Sequence, residues 1–149
     1  MPVLAEDPTG ERLHAWVVEQ IKIATKRLST QGGRIHEGVR QARKAIRRAR
    51  AALMLAEPAL GPGAAALGQE LRRTNRALSA LRDAHALVAV IERLALKSHS
   101  QADTLALRRA QRTAAFARAA VVRDPAHRNA VAEASEMLAQ ATPALAVLP

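Results

Sequence analysis

Apolar residues recur along this chain at alternating spacings of three and four, the pattern of helices that bury one face. The clearest case is residues 35 to about 56, IHEGVRQARKAIRRARAALMLA, where Ile35, Val39, Ala42, Ile46, Ala49 and Leu53 form one stripe. Ahead of it, Asp7-Pro8 reads as a helix start, an acid at the N-cap and proline in the first turn. That first helix runs to about Leu28, with Leu13, Val17, Ile21, Ala24 and Leu28 buried and Ile23 at the flank. Trp16, also on the flank, is expected to be a core anchor. Residues 1–6 read as a loose arm, and STQGG at 29–33 breaks the chain with two glycines.

Pro58 is expected to stop the second helix, because the residue before a proline disfavours helical angles. PALGPG at 58–63 reads as a turn. From Ala64 a long periodic region follows through Leu67, Leu71, Thr74, Leu78, Leu81, His85 and Val88. Carried to Lys97 it would be about 50 Å long at about 1.5 Å per residue, so a break is expected at 79–83, with Ser79 capping a new helix. KSHS at 97–100 is the next connection, and Ser100 with Asp103 resembles a capping box. The helix it starts runs to about Val122. Asp124-Pro125 repeats the first start signal, and a last helix reaches about Ala141 with Glu133 and Glu136 on it. Residues 142–149 read as an apolar tail.

Short connections between helices favour an all-α, up-and-down antiparallel bundle of about five to six helices. The 149 residues form one domain, 1–149, with a core bundle over 7–122, a terminal helix over 124–141 and the tail. Composition agrees: alanine, leucine and arginine dominate, with one Trp, one Phe and no Tyr. No apolar run approaches the ~18 residues of a membrane span. The segment MPVLAEDPTGER has neither a basic start nor an apolar stretch of a secretory signal, and there is no cysteine. These features point to a cytoplasmic location.

Charge changes the picture most. The net charge is +10. On residues 35–56 a second stripe, His36, Arg40, Arg43, Arg47 and Arg50, lies one residue, or about 100°, away from the apolar one. Lys44 and Arg48 widen it, and only Glu37 opposes it. Arg40–Lys44, Arg43–Arg47 and Lys44–Arg48 are like-charge pairs four residues apart, which repel. A bound polyanion would relieve that repulsion. Nucleic acid, an anionic membrane surface and inorganic polyphosphate all fit such a face. The scarcity of aromatics argues against stacking on single-stranded bases. The excess of arginine over lysine suits a planar fork that holds two phosphate oxygens.

Catalytic and metal-binding patterns are weak. No serine has an elbow-type glycine context, and acids are scattered singly. His14, His36, His85, His99 and His127 lack the spacing of helical metal ligands. His85 falls on an apolar stripe and reads as a core histidine, whereas His36 in the basic stripe can donate to a phosphate oxygen. Gly61-Pro62-Gly63 lacks a phosphate-loop lysine and reads as a turn. Asp83, beside Arg82, is suited to hold an arginine in position. No enzyme, cofactor or metal is expected.

Two stretches resemble the CHAD domain family (conserved histidine α-helical domain). They are VRQARKAIRRARAALML at 39–55 and LRRTNRALSALRDAHALVAVIERLA at 71–95, the latter through Leu78-Ser79 and Leu81-Arg82-Asp83. GERLHAWVVEQIKIATKRL at 10–28 fits more weakly, and the resemblance covers about residues 10 to 115. It implies a helical bundle with a basic surface that binds inorganic polyphosphate without catalysis, often in bacteria and at polyphosphate granules, sometimes beside triphosphate-processing CYTH domains. If Arg43, Arg47 and Arg50 take the family's basic positions, the namesake histidine falls on Arg40, and His36 lies one turn early. Family domains are commonly about twice this length with two lobes, which implies pairing of two copies as a homodimer.

The sequence thus leads to polyphosphate binding, with His36, Arg40, Arg43, Lys44, Arg47, Arg48 and Arg50 on one wall. Arg72, Arg73, Arg76 and Arg82 are expected on the opposing wall. The alternatives are a nucleic-acid-binding protein that recognises the phosphate backbone, a helical scaffold for protein interaction, or a regulatory companion to a triphosphate enzyme.

Overall fold

The computed structural model describes residues 8–149. The expected arm over residues 1–6 and the Asp7 cap lie outside them. The described residues form an all-α bundle of six helices. These are α1 (Pro8–Leu28), α2 (Ile35–Leu60), α3 (Pro62–Ala77), α4 (Ser79–Lys97), α5 (Gln101–Arg123) and α6 (Pro125–Ala146), with a 3-10 turn over Gly32–Arg34 ahead of α2.

The core is built by α1, α2, α3 and α6, together with the joint between α3 and α4. The α2 stripe is buried as its spacing requires: Val39, Ala42, Ile46, Ala49 and Leu53 are nearly inaccessible, and Ala45, Ala52, Ala56 and Leu60 extend it. The α1 stripe meets it through Val17, Ile21, Ala24 and Leu28. Alanine on the α2 face lets the two backbones run close. The closest approach is at Gly38, where a Cβ would lie 2.5 Å from the Arg27 carbonyl oxygen and 2.7 Å from Thr30 Cβ. Only a residue without a side chain leaves room for the end of α1 there. Leu71, Leu78 and Leu81 close the core from α3 and its joint with α4, and Ala134, Leu138, Ala141 and Leu145 close it from α6.

Four local expectations are corrected. First, Trp16 is 47% exposed rather than a core anchor. It lies one residue, about 100°, off Val17, so the bundle covers only part of the ring.

Second, α2 does not stop before Pro58 but continues to Leu60. Proline removes the bond to the carbonyl four residues back, here that of Met54, which is on the solvent side and 71% exposed. Water can take that carbonyl, while burial of Leu60 holds the extra turn. The helix ends where Gly61 adopts φ 74°, ψ −166°, a region open essentially to glycine.

Third, α6 runs through Pro143 to Ala146, so most of the expected tail is helix. The same argument holds: the surface carries Pro143, and the buried face carries Ala141 and Leu145. The Leu145 carbonyl accepts a bond from His14 Nε2 at 3.1 Å, which ties this last turn to α1.

Fourth, the break after α3 falls at Leu78, which occupies the cap position itself with no side-chain cap bond from Ser79. Leu78 is fully buried, and its packing positions the joint. The other start signals hold. Ser100 Oγ accepts from Asp103 N at 3.4 Å, and Asp124 Oδ1 accepts from Ala126 N at 2.9 Å.

The α4–α5 hairpin packs mainly on itself and stands off the core. Along it Val88 and Ala114 are buried, while Leu87, Leu94, Leu96, Leu105 and Phe116 are more than half exposed. Its near end leans on the N-terminal half of α2, and that contact makes the site.

Candidate polyanion-binding site

A cleft of about 450 Å³ lies between the basic stripe of α2 and the first turns of α4. From α2 come His36, Glu37, Arg40, Arg43 and Arg47, and from α4 come Arg82, His85, Ala86, Ala89 and Arg93. His36, Arg40, Arg43 and Arg47 follow one another at spacings of three and four, so a straight helix presents them along one side, with Glu37 at its edge. On α4, Arg82, Ala86, Ala89 and Arg93 do the same, with His85 beside them.

Arg43 is the best anchored of the cations. Its Nε donates to the Asn75 carbonyl and to Asn75 Oδ1, both at 3.2 Å. Asn75 is itself buried on α3, so the guanidinium is held from below where Arg43 lines the cleft. Burial, and then the charge of Arg82, push the Arg43 pKa below the usual arginine range. Arginine stays cationic despite such a shift, so an anion beside it would offset both its desolvation and the charge of Arg82. The Glu37 carboxylate is held below its ordinary pKa, first by the Gln41 amide that donates to it at 2.7 Å and also by Arg40 at 3.1 Å. It therefore remains charged and occupied by its own helix. Arg82 pairs with its neighbour Asp83 at 3.0 Å.

At the end of the cleft the His36 and His85 rings stack, with centroids 4.1 Å apart and planes 25° from parallel. His85 is half-buried rather than a core residue, a further correction: α4 stands off the bundle at this point, so its stripe meets α2 side chains instead of the interior. Arg118 of α5 donates from Nη1 to His85 Nδ1 at 3.0 Å, which makes that nitrogen an acceptor and the ring neutral. Burial, the neighbouring His36 and Arg118 lower the His85 pKa from 6.5, against the opposing pull of Glu37 and Glu92.

The sign of the pH dependence follows. Below 6.5 the unfolded chain protonates at this position before the folded one does, so the folded state binds fewer protons and loses stability as pH falls. The contribution is complete above 6.5. His127, buried in the first turn of α6, shifts in the same direction through its burial, with Asp124 opposing. The melting temperature is expected to fall between about pH 7 and pH 5, where histidine is the main titrating side chain. His85→Gln and His127→Gln should each flatten part of that slope in thermal melts.

The expected site residues divide. His36, Arg40, Arg43, Arg47 and Arg82 come together in the cleft. Arg50 lines an adjoining groove of about 420 Å³ between α2 and α3, which Arg47 also lines. The Arg50 Nε is buried there without a hydrogen-bond partner. Lys44 and Arg48 lie on the outer side of the stripe, about 40° and 80° past Arg40 at 100° per residue. Arg72, Arg73 and Arg76 are exposed on the outer face of α3, and Arg73 pairs with Glu70 at 2.9 Å. The facing helix is α4, not α3, because α3 spends its inner face on Leu71, Thr74, Asn75 and Leu78. Arg93, His85 and Arg118 were missed as site residues. The spacing of 82, 85, 86, 89 and 93 was a usable signal, although nothing in it identified the helix opposite.

Among the described residues no group of three or more His, Cys, Asp or Glu side chains could hold a metal ion. Among them, too, no helix is long and apolar enough to cross a membrane.

No curated protein and no solved structure matches this chain. The family model described as the CHAD domain matches residues 9–149, past the terminal helix and well beyond the stretches that carried the resemblance. That match takes in α1 through α6 with both walls of the cleft, and the chain belongs to the CHAD domain family.

Proposed function

We propose that this chain binds inorganic polyphosphate in the α2–α4 cleft and does no chemistry on it. The observation that carries the reading is the charge of the lining. Arg40, Arg43, Arg47, Arg82 and Arg93 converge on one concave surface, and the one carboxylate among the lining residues, Glu37, is already engaged by Arg40 and Gln41. A flexible chain of phosphates supplies a charge at every unit and can adapt to such a row. The family's association with polyphosphate binding supports the same ligand. With Glu37 so engaged, the lining offers a proton acceptor only in the histidine pair, and no nucleophile beside it. The proposed role is therefore retention of the polymer. Location at polyphosphate granules is a consequence of that reading.

Nucleic acid is the competing occupant, since it too offers a phosphate backbone. The two exposed aromatics, Trp16 and Phe116, do not line the cleft, and the two imidazoles that do, His36 and His85, are stacked on each other. A salt-titrated competition assay decides between them. Long-chain polyphosphate is expected to displace labelled DNA or RNA at equal phosphate concentration, with affinity falling steeply as salt rises. Displacement of polyphosphate by duplex or single-stranded nucleic acid under those conditions would overturn the reading.

A further inference from the structure

Past the His36–His85 stack, across the Arg118 bond to His85, lies a further groove. Arg118, hydrogen-bonded to His85, lines a second groove of about 420 Å³ between α4 and α5, with Arg108, Gln111, Arg112 and Ala115. The α5 residues at 108, 111, 112, 115 and 118 are spaced as one helical face. Val88 and Glu92 of α4 form the other side. Arg108 and Arg112 are exposed, and neither side chain makes a hydrogen bond or ion pair among the described residues. Glu92 is the one acid of the groove, and no arginine pairs with it. Arg118 also joins His36 in lining a third concavity, with Gly32, Gly33 and Arg123.

We propose that the Arg108–Arg112–Arg118 face of α5 is a second anion subsite, joined to the α2–α4 cleft over the histidine pair, so that one long polyphosphate chain occupies both. This rests on the reading of the cleft given above and names the ligand more narrowly, as a chain long enough to cross from α2 to α5. His36 to Arg47 spans about 17 Å of helix and Arg108 to Arg118 about 15 Å, at about 1.5 Å per residue. A short phosphate oligomer fills one subsite at a time. A long chain held in the cleft presents its continuation to α5 at high effective concentration, and that second contact strengthens binding without any change in the first. The orphan arginines on α5 then have a counter-charge.

The test compares inorganic triphosphate with long-chain polyphosphate on the wild-type chain and on an Arg108→Gln/Arg112→Gln variant. Both substitutions are on the surface, and unchanged helicity and melting temperature confirm the fold. The variant is expected to lose about tenfold in affinity for the long chain and less than about twofold for triphosphate. The greater number of registers on a long chain does not produce this difference, because the variant leaves it unaltered. Equal losses for the two ligands, or no loss for the long chain, would overturn the second subsite while leaving the cleft in place. Failure of the wild-type chain to bind either ligand would instead overturn the polyphosphate reading itself, and this inference with it.

Discussion

Arg47→Glu is expected to weaken polyphosphate binding on the order of 10- to 100-fold, with helicity and melting temperature essentially unchanged. Arg47 is exposed, lines both the α2–α4 cleft and the groove toward Arg50, and has no carboxylate partner among the described residues. Each hydrogen bond from a charged group is worth about 1.5–3 kcal/mol, and reversal adds repulsion to the loss. Stability should not fall, because Arg47 is exposed and its charge is the least of the causes that lower the Arg43 pKa. The log–log salt slope of binding should shrink by about one unit as a phosphate contact disappears. Arg43 is a poorer probe. It is half-buried, and a carboxylate in its place would face the Asn75 carbonyl and side-chain oxygen. Wild-type affinity in Arg47→Glu, measured by titration at low salt, would mean that the stripe is only solvated surface.

Leu145→Ala should destabilise the fold by about 2–5 kcal/mol, the range for truncating a fully buried leucine. Leu145 is 0% exposed, between α6 and the rest of the core. Its loss leaves a cavity lined by helices that cannot all close in, because α6 is pinned at the same turn by the His14 bond to the Leu145 carbonyl. For a chain of this size that corresponds to a fall in melting temperature of roughly 4–20 °C. Val147→Ala, two residues on, is the control. Val147 is 82% exposed, and the change should stay within about 0.5 kcal/mol. Thermal or urea melts of both variants check the pair. Equal, small effects would mean that residues 142–149 are the frayed tail their composition suggests.

Much of the fold was legible because it depends on one helix at a time. The α2 stripes, the Ser100 and Asp124 caps and the break at 29–33 each follow from local spacing or local hydrogen bonding, whereas the turn expected over 58–63 shrinks to Gly61. Pro58 misled as a stop, and the tail expected over 142–149 is helical through Pro143, for one definable reason. The cost of proline in a helix depends on where the orphaned carbonyl points. At both positions it points to solvent, while a leucine two residues on is buried and holds the turn. Trp16 misled because a ring on the flank of a stripe is covered only if a neighbouring helix reaches it.

The sequence by itself determined an all-α bundle of about five to six helices, an apolar face for each core helix and a row of arginines on α2 opposed by Glu37 alone, since a helical period places side chains around their own axis. It also supplied Arg82 as one residue of the facing wall. Only the tertiary structure decided which helix stands opposite, replacing the outward arginines of α3 with Arg82, His85 and Arg93 of α4. It alone brought His36 and Arg118 onto His85, across separations of 49 and 33 residues in sequence. The angle at which two helices cross is set by packing between their faces, and no periodicity within either helix contains it.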